Sequence, residues 1–251
     1  MKHFAKKKWG QNFLADPNLL RKIVRTINPQ ENENLLEIGP GEGALTEKLL
    51  PLVKEMAVIE IDPVLVEYLR DLDSIKGVQV IHGDVLWQDL DKLPIDPPIK
   101  VIGNIPYNIT SPILFWLIEQ RQHWDEAFLM VQKEVGDRLA ATVGTKAYGR
   151  LSVMTGAFLE IEKCFNIPPE VFVPRPNVDS ALIKIKRIEN PLIADDQFDK
   201  FEKIVRAAFS KRRKMLQNSL QSFNIPIEVQ ERIDFRRRPE TLSIAEFAEL
   251  V

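Results

Sequence analysis

The fold class predicted by this sequence is α/β: an open, mostly parallel sheet with helices on both faces, followed by a small all-α C-terminal domain. Three observations carry that expectation. Short apolar runs alternate with segments of helical periodicity over most of the chain. A glycine-rich turn, "GPGEG", follows the first apolar run directly. From about Asp196 onward only helical patterns remain. The expected domains are residues 1–190 and 191–251.

Asp16-Pro17 reads as a helix N-cap with proline at the first helical position, and "LLRKIVRTI" continues with helical spacing. "NLLEI" is a buried strand. "ALTEKLLPLV" is a helix, "MAVIEI" a strand, and "DPVLVEYLRDL" a helix capped by Asp62. "VQVIHGD" and "KVIGN" are strands, "SPILFWLIEQ" a helix, "EAFLMVQ" a strand and "KEVGDRLAA" a helix. Repeated strand–helix–strand units connect right-handedly into parallel sheets, whose ligands bind beyond the carboxyl ends of the strands. "DSALIKIKRI" alternates like a further strand. "FDKFEKIVRAAF", "RRKMLQNSL", "IPIEVQERI" and "SIAEFAELV" make up the helical tail.

With 251 residues, 45% of them apolar, the chain can bury a full core. It has no apolar run long enough to span a bilayer. The N-terminal "MKHFAKKKWGQNFL" lacks the apolar core of a secretory signal. One cysteine, Cys164, and three scattered histidines offer neither an internal disulfide nor metal-ligand spacing, so no metal is expected. A cytoplasmic setting with no membrane partner fits best. Net charge is −2, but the basic residues are segregated. Residues 1–25 carry seven Lys or Arg against Asp16 alone. Lys203 to Lys214 carry six and no acid, and Arg236, Arg237 and Arg238 form a third cluster. Each cluster alone suits a solvated face; together they point to nucleic-acid contact.

Gly39, Gly41 and Gly43 lie between a strand and a helix, where glycine lets the backbone turn tightly and approach a ligand. Gly39, Gly41 and Ala44 also satisfy the dinucleotide fingerprint, so this loop alone suits either NAD or S-adenosylmethionine. Glu60 ends the next strand and can accept both hydroxyls of a ribose. Asp62 is better explained as a helix cap. Asp84 ends the third strand and can accept from an adenine amino group, or cap a turn. The three features fall at the ends of successive strands and should line one cleft.

"NIPY" enters that cleft from the fourth strand. Pro106 holds Ile105 extended, which frees the Ile105 carbonyl to face the cleft beside the Asn104 side-chain oxygen. Two converging acceptors suit an amine with two donors, and Tyr107 offers a flat face to a base. An Asx-turn with a buried tyrosine is the plainer alternative.

"GQNFL", "EIGPGEGALT", "GNIPYNI", "QKEV", "KAYGRLSV", "VFVPRPNVDSA" and "FSKRRKMLQNSL" together resemble the bacterial small-subunit (16S) ribosomal RNA adenine N6,N6-dimethyltransferases, from Trp9 to about Phe247. The resemblance implies a Rossmann-like class I methyltransferase sheet. It also implies S-adenosylmethionine as methyl donor, S-adenosylhomocysteine as product and no metal. The implied partner is 16S rRNA within the small ribosomal subunit or its precursor, met by a monomer. Carried over to matching positions, Asn12, Leu14, Gly39, Gly41, Glu60, Asp84 and Asn104 are cofactor residues. Asn104 and Tyr107 form the target-adenine site, with Phe172 on the other face of the base. Asn12 and Leu14 belong to "QNFL", which would close over the cofactor. Lys211, Arg212, Arg213 and Lys214 are the candidates for rRNA contact.

Ile105 departs from the Leu usual in that family and matches the related large-subunit enzymes of macrolide resistance. Other readings are a ribosome-assembly factor without catalysis, an NAD-dependent dehydrogenase and a DNA adenine methyltransferase.

Overall fold

The computed structural model describes residues 11–211 and 214–251. In chain order the strands are β1 Phe13–Leu14, β2 Asn34–Ile38, β3 Glu55–Glu60, β4 Gln79–His82, β5 Ile99–Asn104, β6 Trp124–Gln132, β7 Leu159–Ile167, β8 Phe172–Val173 and β9 Ser180–Arg187. The helices are α1 Pro17–Ile27, α2 Thr46–Leu49, α3 Pro63–Arg70, α4 Thr110–Glu119, α5 Lys133–Leu139, α6 Arg150–Gly156, α7 Phe198–Ser210, α8 Leu216–Ser219, α9 Ile227–Arg232 and α10 Ile244–Ala248.

Seven strands form one sheet in the order β4-β3-β2-β5-β6-β9-β7. β4 to β6 pair in parallel and β9 joins β6 antiparallel. The chain winds outward from β2 to β4 on one side, then crosses to β5 on the other. The β2/β5 junction is therefore the point where strand order reverses, and a crevice opens there. β2 is buried along its whole length, as a strand covered on both faces must be.

Local chemistry sets the helices that flank this crevice. Asp16 Oδ1 accepts the Leu19 N–H at 2.7 Å and starts α1. That helix buries Leu19, Leu20, Ile23 and Ile27 and ends at Asn28, whose left-handed conformation asparagine tolerates. Asp62 caps α3 through the Val64 N–H at 3.1 Å, with Pro63 at the first turn. α2 is shorter than its apolar pattern suggests. The segment tightens into a 3₁₀ turn at Leu50–Leu52, where Pro51 cannot donate to the ladder.

By contacts the described chain divides into two compact units. The first runs to Gly136 and resumes at Lys163–Arg187. The second comprises Asp137–Glu162 and Ile188–Val251. A single break at residue 190 does not anticipate Asp137–Glu162, whose side chains pack within the tail unit. There the Tyr148 hydroxyl donates to the Leu242 carbonyl at 2.9 Å. Phe158 lies 5.6 Å from Phe198, ring to ring. Two of the three clustered arginines also serve this unit. Arg237 pairs with Glu246, and Arg236 with Asp234 at 2.9 Å.

Candidate active site

β2 ends in the glycine turn. Gly39, Gly41 and Gly43 all have positive φ, the left-handed region that side chains resist. Gly41 is needed on a second count: a Cβ there would sit 2.7 Å from Cδ1 of Phe13. The backbone must be bare for that ring to lie over it.

Glu60 closes β3 and is 5% exposed. Its Oε1 accepts the Ile61 and Asp62 N–H groups at 2.9 and 3.0 Å, and Oε2 takes a longer bond, 3.4 Å, from Gly41 N–H. Backbone donors thus orient the carboxylate while Oε2 keeps acceptor capacity toward the cleft. Burial raises its pKa against those bonds. Asp84 caps a turn, through the Leu86 N–H at 3.0 Å, and also lines the cleft.

Asn104 ends β5. Its Nδ2 donates to the Asn12 carbonyl at 2.7 Å. A carbonyl can only accept, so this bond fixes which way the amide points. The side-chain oxygen is left as the remaining acceptor. Tyr107 follows two residues after Ile105, with its hydroxyl 2.7 Å from Ser180 Oγ. Burial raises the Tyr107 pKa, so the phenol stays neutral.

Asn12, Gly39, Gly41, Glu60, Asp84, Asn104 and Tyr107 all line one cleft at the crevice. Two expected residues do not. Leu14 and Phe172 face each other across β1 and β8, in register and turned inward. Phe172 is 2% exposed and belongs to the apolar core. Strand alternation explains this: Val173, next in line, points outward. Leu14 instead borders a smaller recess beside the cleft.

Glu37 does not stand out in the sequence as a site residue, and Gln11 and Phe13 carry no individual role there beyond belonging to "QNFL". Phe13 covers Gly41, and Gln11 donates to Asp62 Oδ2 at 3.3 Å. Glu37, buried on β2, accepts from Thr46 Oγ1 at 2.6 Å and borders the same recess as Leu14. An acid shortly before "GPG" is its only signal. Burial, with the nearby Glu60 charge adding, pushes its pKa up to about 7. The unfolded value is near 4.5. The stability carried by this neutral carboxyl is full below that pH and is lost as pH rises through about 7. A shift of this size corresponds to about 3 kcal/mol. Glu37→Gln removes the ionisation. Without cofactor it should therefore raise the melting temperature relative to wild type at pH 8 and leave it little changed at pH 5. Equal shifts at both pH values would contradict the assignment.

No group of three or more His, Cys, Asp or Glu side chains among the described residues is placed to hold a metal. No helix among them is long and apolar enough to cross a membrane. Lys211 and Lys214 are exposed in the tail unit, while Arg212 and Arg213 lie outside the described residues.

The sheet order, the glycine turn and the acids at successive strand ends define a class I methyltransferase. Two solved structures share the architecture. A dimethyladenosine transferase from Plasmodium falciparum matches with a TM-score of 0.82 and 29% identity, over 95% of each chain. The 23S rRNA methyltransferase ErmE matches with a TM-score of 0.75 and 28% identity, over 95% of this chain and 98% of that one. The family model for ribosomal RNA adenine dimethylase matches residues 2–250, and the chain belongs to that family. Among its relatives is a ribosomal RNA small subunit methyltransferase A from Legionella pneumophila, 42% identical over 252 residues, covering 100% of this chain and 98% of the relative. One of the same name from Enterococcus faecalis is 43% identical over 98% of this chain and 88% of the relative.

Proposed function

We propose that the protein transfers methyl groups from S-adenosylmethionine to the N6 amines of two adjacent adenosines near the 3′ end of 16S rRNA. The products are N6,N6-dimethyladenosines, and the setting is small-subunit biogenesis. The observation that carries the residue roles is the Asn104 amide. Its nitrogen is engaged by Asn12, and its oxygen remains as an acceptor beside Tyr107.

The donor set fits the cofactor. Glu60 Oε2 suits ribose hydroxyls, and Asp84 suits an exocyclic adenine amine. Gly39 and Gly41 let the backbone approach, and Gln11 to Phe13 border the same cleft. Leu14 borders the recess that Gly39, Gly41 and Asn104 also line, within reach of the cofactor, whereas Phe172 packs in the apolar core behind β1. When bound, S-adenosylmethionine supplies a methyl group on a cationic sulfonium.

The chain's own part is placement. Asn104 Oδ1 and the Ile105 carbonyl accept the two N–H groups of the target amine. That favours a pyramidal nitrogen, with its lone pair freed from the ring. Tyr107 supports the base by stacking. Both groups are neutral, and no strong base is required, because the amine proton becomes acidic only after methylation and water can take it. Orientation of this kind contributes up to about 7–11 kcal/mol in favourable cases. The adenosine must be unpaired or flipped to enter.

The test uses purified protein, labelled cofactor, and small subunits from a strain lacking the modification, with large subunits alongside. Label recovered as dimethyladenosine in small-subunit RNA is expected. Label confined to the large subunit would replace this substrate with the one in the name of ErmE.

Lys211 and Lys214, with the adjoining Lys203 and Arg206 on the outward side of α7, are exposed cations suited to phosphate contact. Reversing Lys211 and Lys214 to Glu should weaken rRNA binding. It should also flatten its salt dependence by roughly 0.7–0.9 in log–log slope for each phosphate no longer neutralised. An unchanged slope would remove the cluster from the interface.

A further inference from the structure

We propose that Ser180 is a positioning residue for methyl transfer, acting through Tyr107. The inference rests on the function proposed above and deepens it. Ser180 opens β9 and lies opposite Gln132 at the carboxyl end of β6. It is 0% exposed. The Lys133 N–H donates to the preceding Asp179 carbonyl at 2.9 Å and pins the strand's start. Tyr107 sits in the turn after β5, the neighbouring strand on β6's other side. Its hydroxyl therefore reaches across the end of β6 to Ser180 Oγ, 2.7 Å away.

Satisfying the phenol does not require this partner. Tyr107 is only partly buried and borders an open cleft, where water could bond its hydroxyl. Instead the hydroxyl is tied to a rigid strand in the core. The other end of the residue is held too, since Thr110 Oγ1 donates to the Tyr107 carbonyl at 3.1 Å. A ring anchored at its backbone and at its tip presents one fixed plane. The target amine must meet the methyl donor twice, the second time already carrying a methyl group. The second transfer has the less room and depends more on that plane.

The experiment compares wild type, Ser180→Ala, Tyr107→Phe and the double variant on small subunits under saturating cofactor. It reads kcat, KM for the subunit, cofactor Kd and the ratio of monomethyl- to dimethyladenosine. Ser180→Ala should lower kcat about tenfold, within the range that small misplacements produce. Cofactor Kd should stay within twofold, and monomethyl product should accumulate. Tyr107→Phe breaks the same bond from the cleft side and leaves the Ser180 side chain in place, though the buried Ser180 hydroxyl loses this partner. Its kcat and product ratio should match those of Ser180→Ala, and the double variant should be no worse than either. Ser180→Ala or Tyr107→Phe with wild-type kcat and product ratio would overturn the proposal, as would multiplicative losses in the double variant. If Ser180→Ala does not fold, Tyr107→Phe decides by itself. Wild type run in parallel separates the two levels: no methylated product there would strike the function itself.

Discussion

Asn104→Ala is expected to slow single-turnover methyl transfer by about 10²–10³-fold, the loss typical when a group that stabilises a transition state is deleted. Asn104 holds two things at once. Its nitrogen ties the Asn12 carbonyl, and with it the segment running into β1, to the end of β5. Its oxygen is the acceptor left for the substrate amine. Alanine removes both, so cofactor affinity should fall as well, by about fivefold for one ordinary hydrogen bond. The residue is only partly buried, and the fold should survive with an unchanged circular dichroism spectrum. Asn104→Asp separates the two roles. It keeps acceptors but cannot donate to Asn12 when ionised, so it should weaken cofactor binding at least as much as alanine. Single-turnover rates within threefold of wild type in the alanine variant would remove Asn104 from the chemistry.

Much of this site is legible in the amino-acid sequence, because it depends on local rules. The turn after β2 announces itself through three glycines between a strand and a helix. Asp16 and Asp62 announce helix starts by the proline that follows each. Glu60, Asp84 and Asn104 share one cleft because each lies at, or just beyond, the carboxyl end of one of the parallel strands. The failures are equally physical. Phe172 belongs to a two-residue strand, too short to show a period, and its direction is set by pairing with Leu14, 158 positions away. Phe13 resembles any other apolar residue, since nothing local says that its ring covers Gly41. Glu37 sits within a run that reads as an ordinary buried strand, and only tertiary burial makes its carboxyl unusual. The contribution of Asp137–Glu162 to the second unit rests on contacts distant in sequence, such as Tyr148 to Leu242.

Gly41→Ala should raise the cofactor Kd at least tenfold and also destabilise the cofactor-free protein. Two costs combine. At φ +59° an alanine sits in the left-handed region, which costs roughly 1–2 kcal/mol. Its Cβ would also lie 2.7 and 2.9 Å from two atoms of the Phe13 ring, closer than carbon atoms approach. That ring cannot simply retreat. Phe13 pairs with Val173 in β1·β8, and the Ala15 N–H donates to the Val171 carbonyl at 3.0 Å, so the segment is held beyond the ring. Either the glycine turn or the segment must move, and both border the cleft. Phe13→Leu in the Gly41→Ala background distinguishes the two costs. A smaller side chain relieves the collision but not the backbone strain. Cofactor affinity should recover in part, while the melting temperature stays below that of Phe13→Leu alone. If the double variant binds no better than Gly41→Ala, the contact between Phe13 and the turn does not control the cleft. If Gly41→Ala alone binds within twofold of wild type, the turn does not approach the cofactor. Calorimetric titration of S-adenosylhomocysteine reads both.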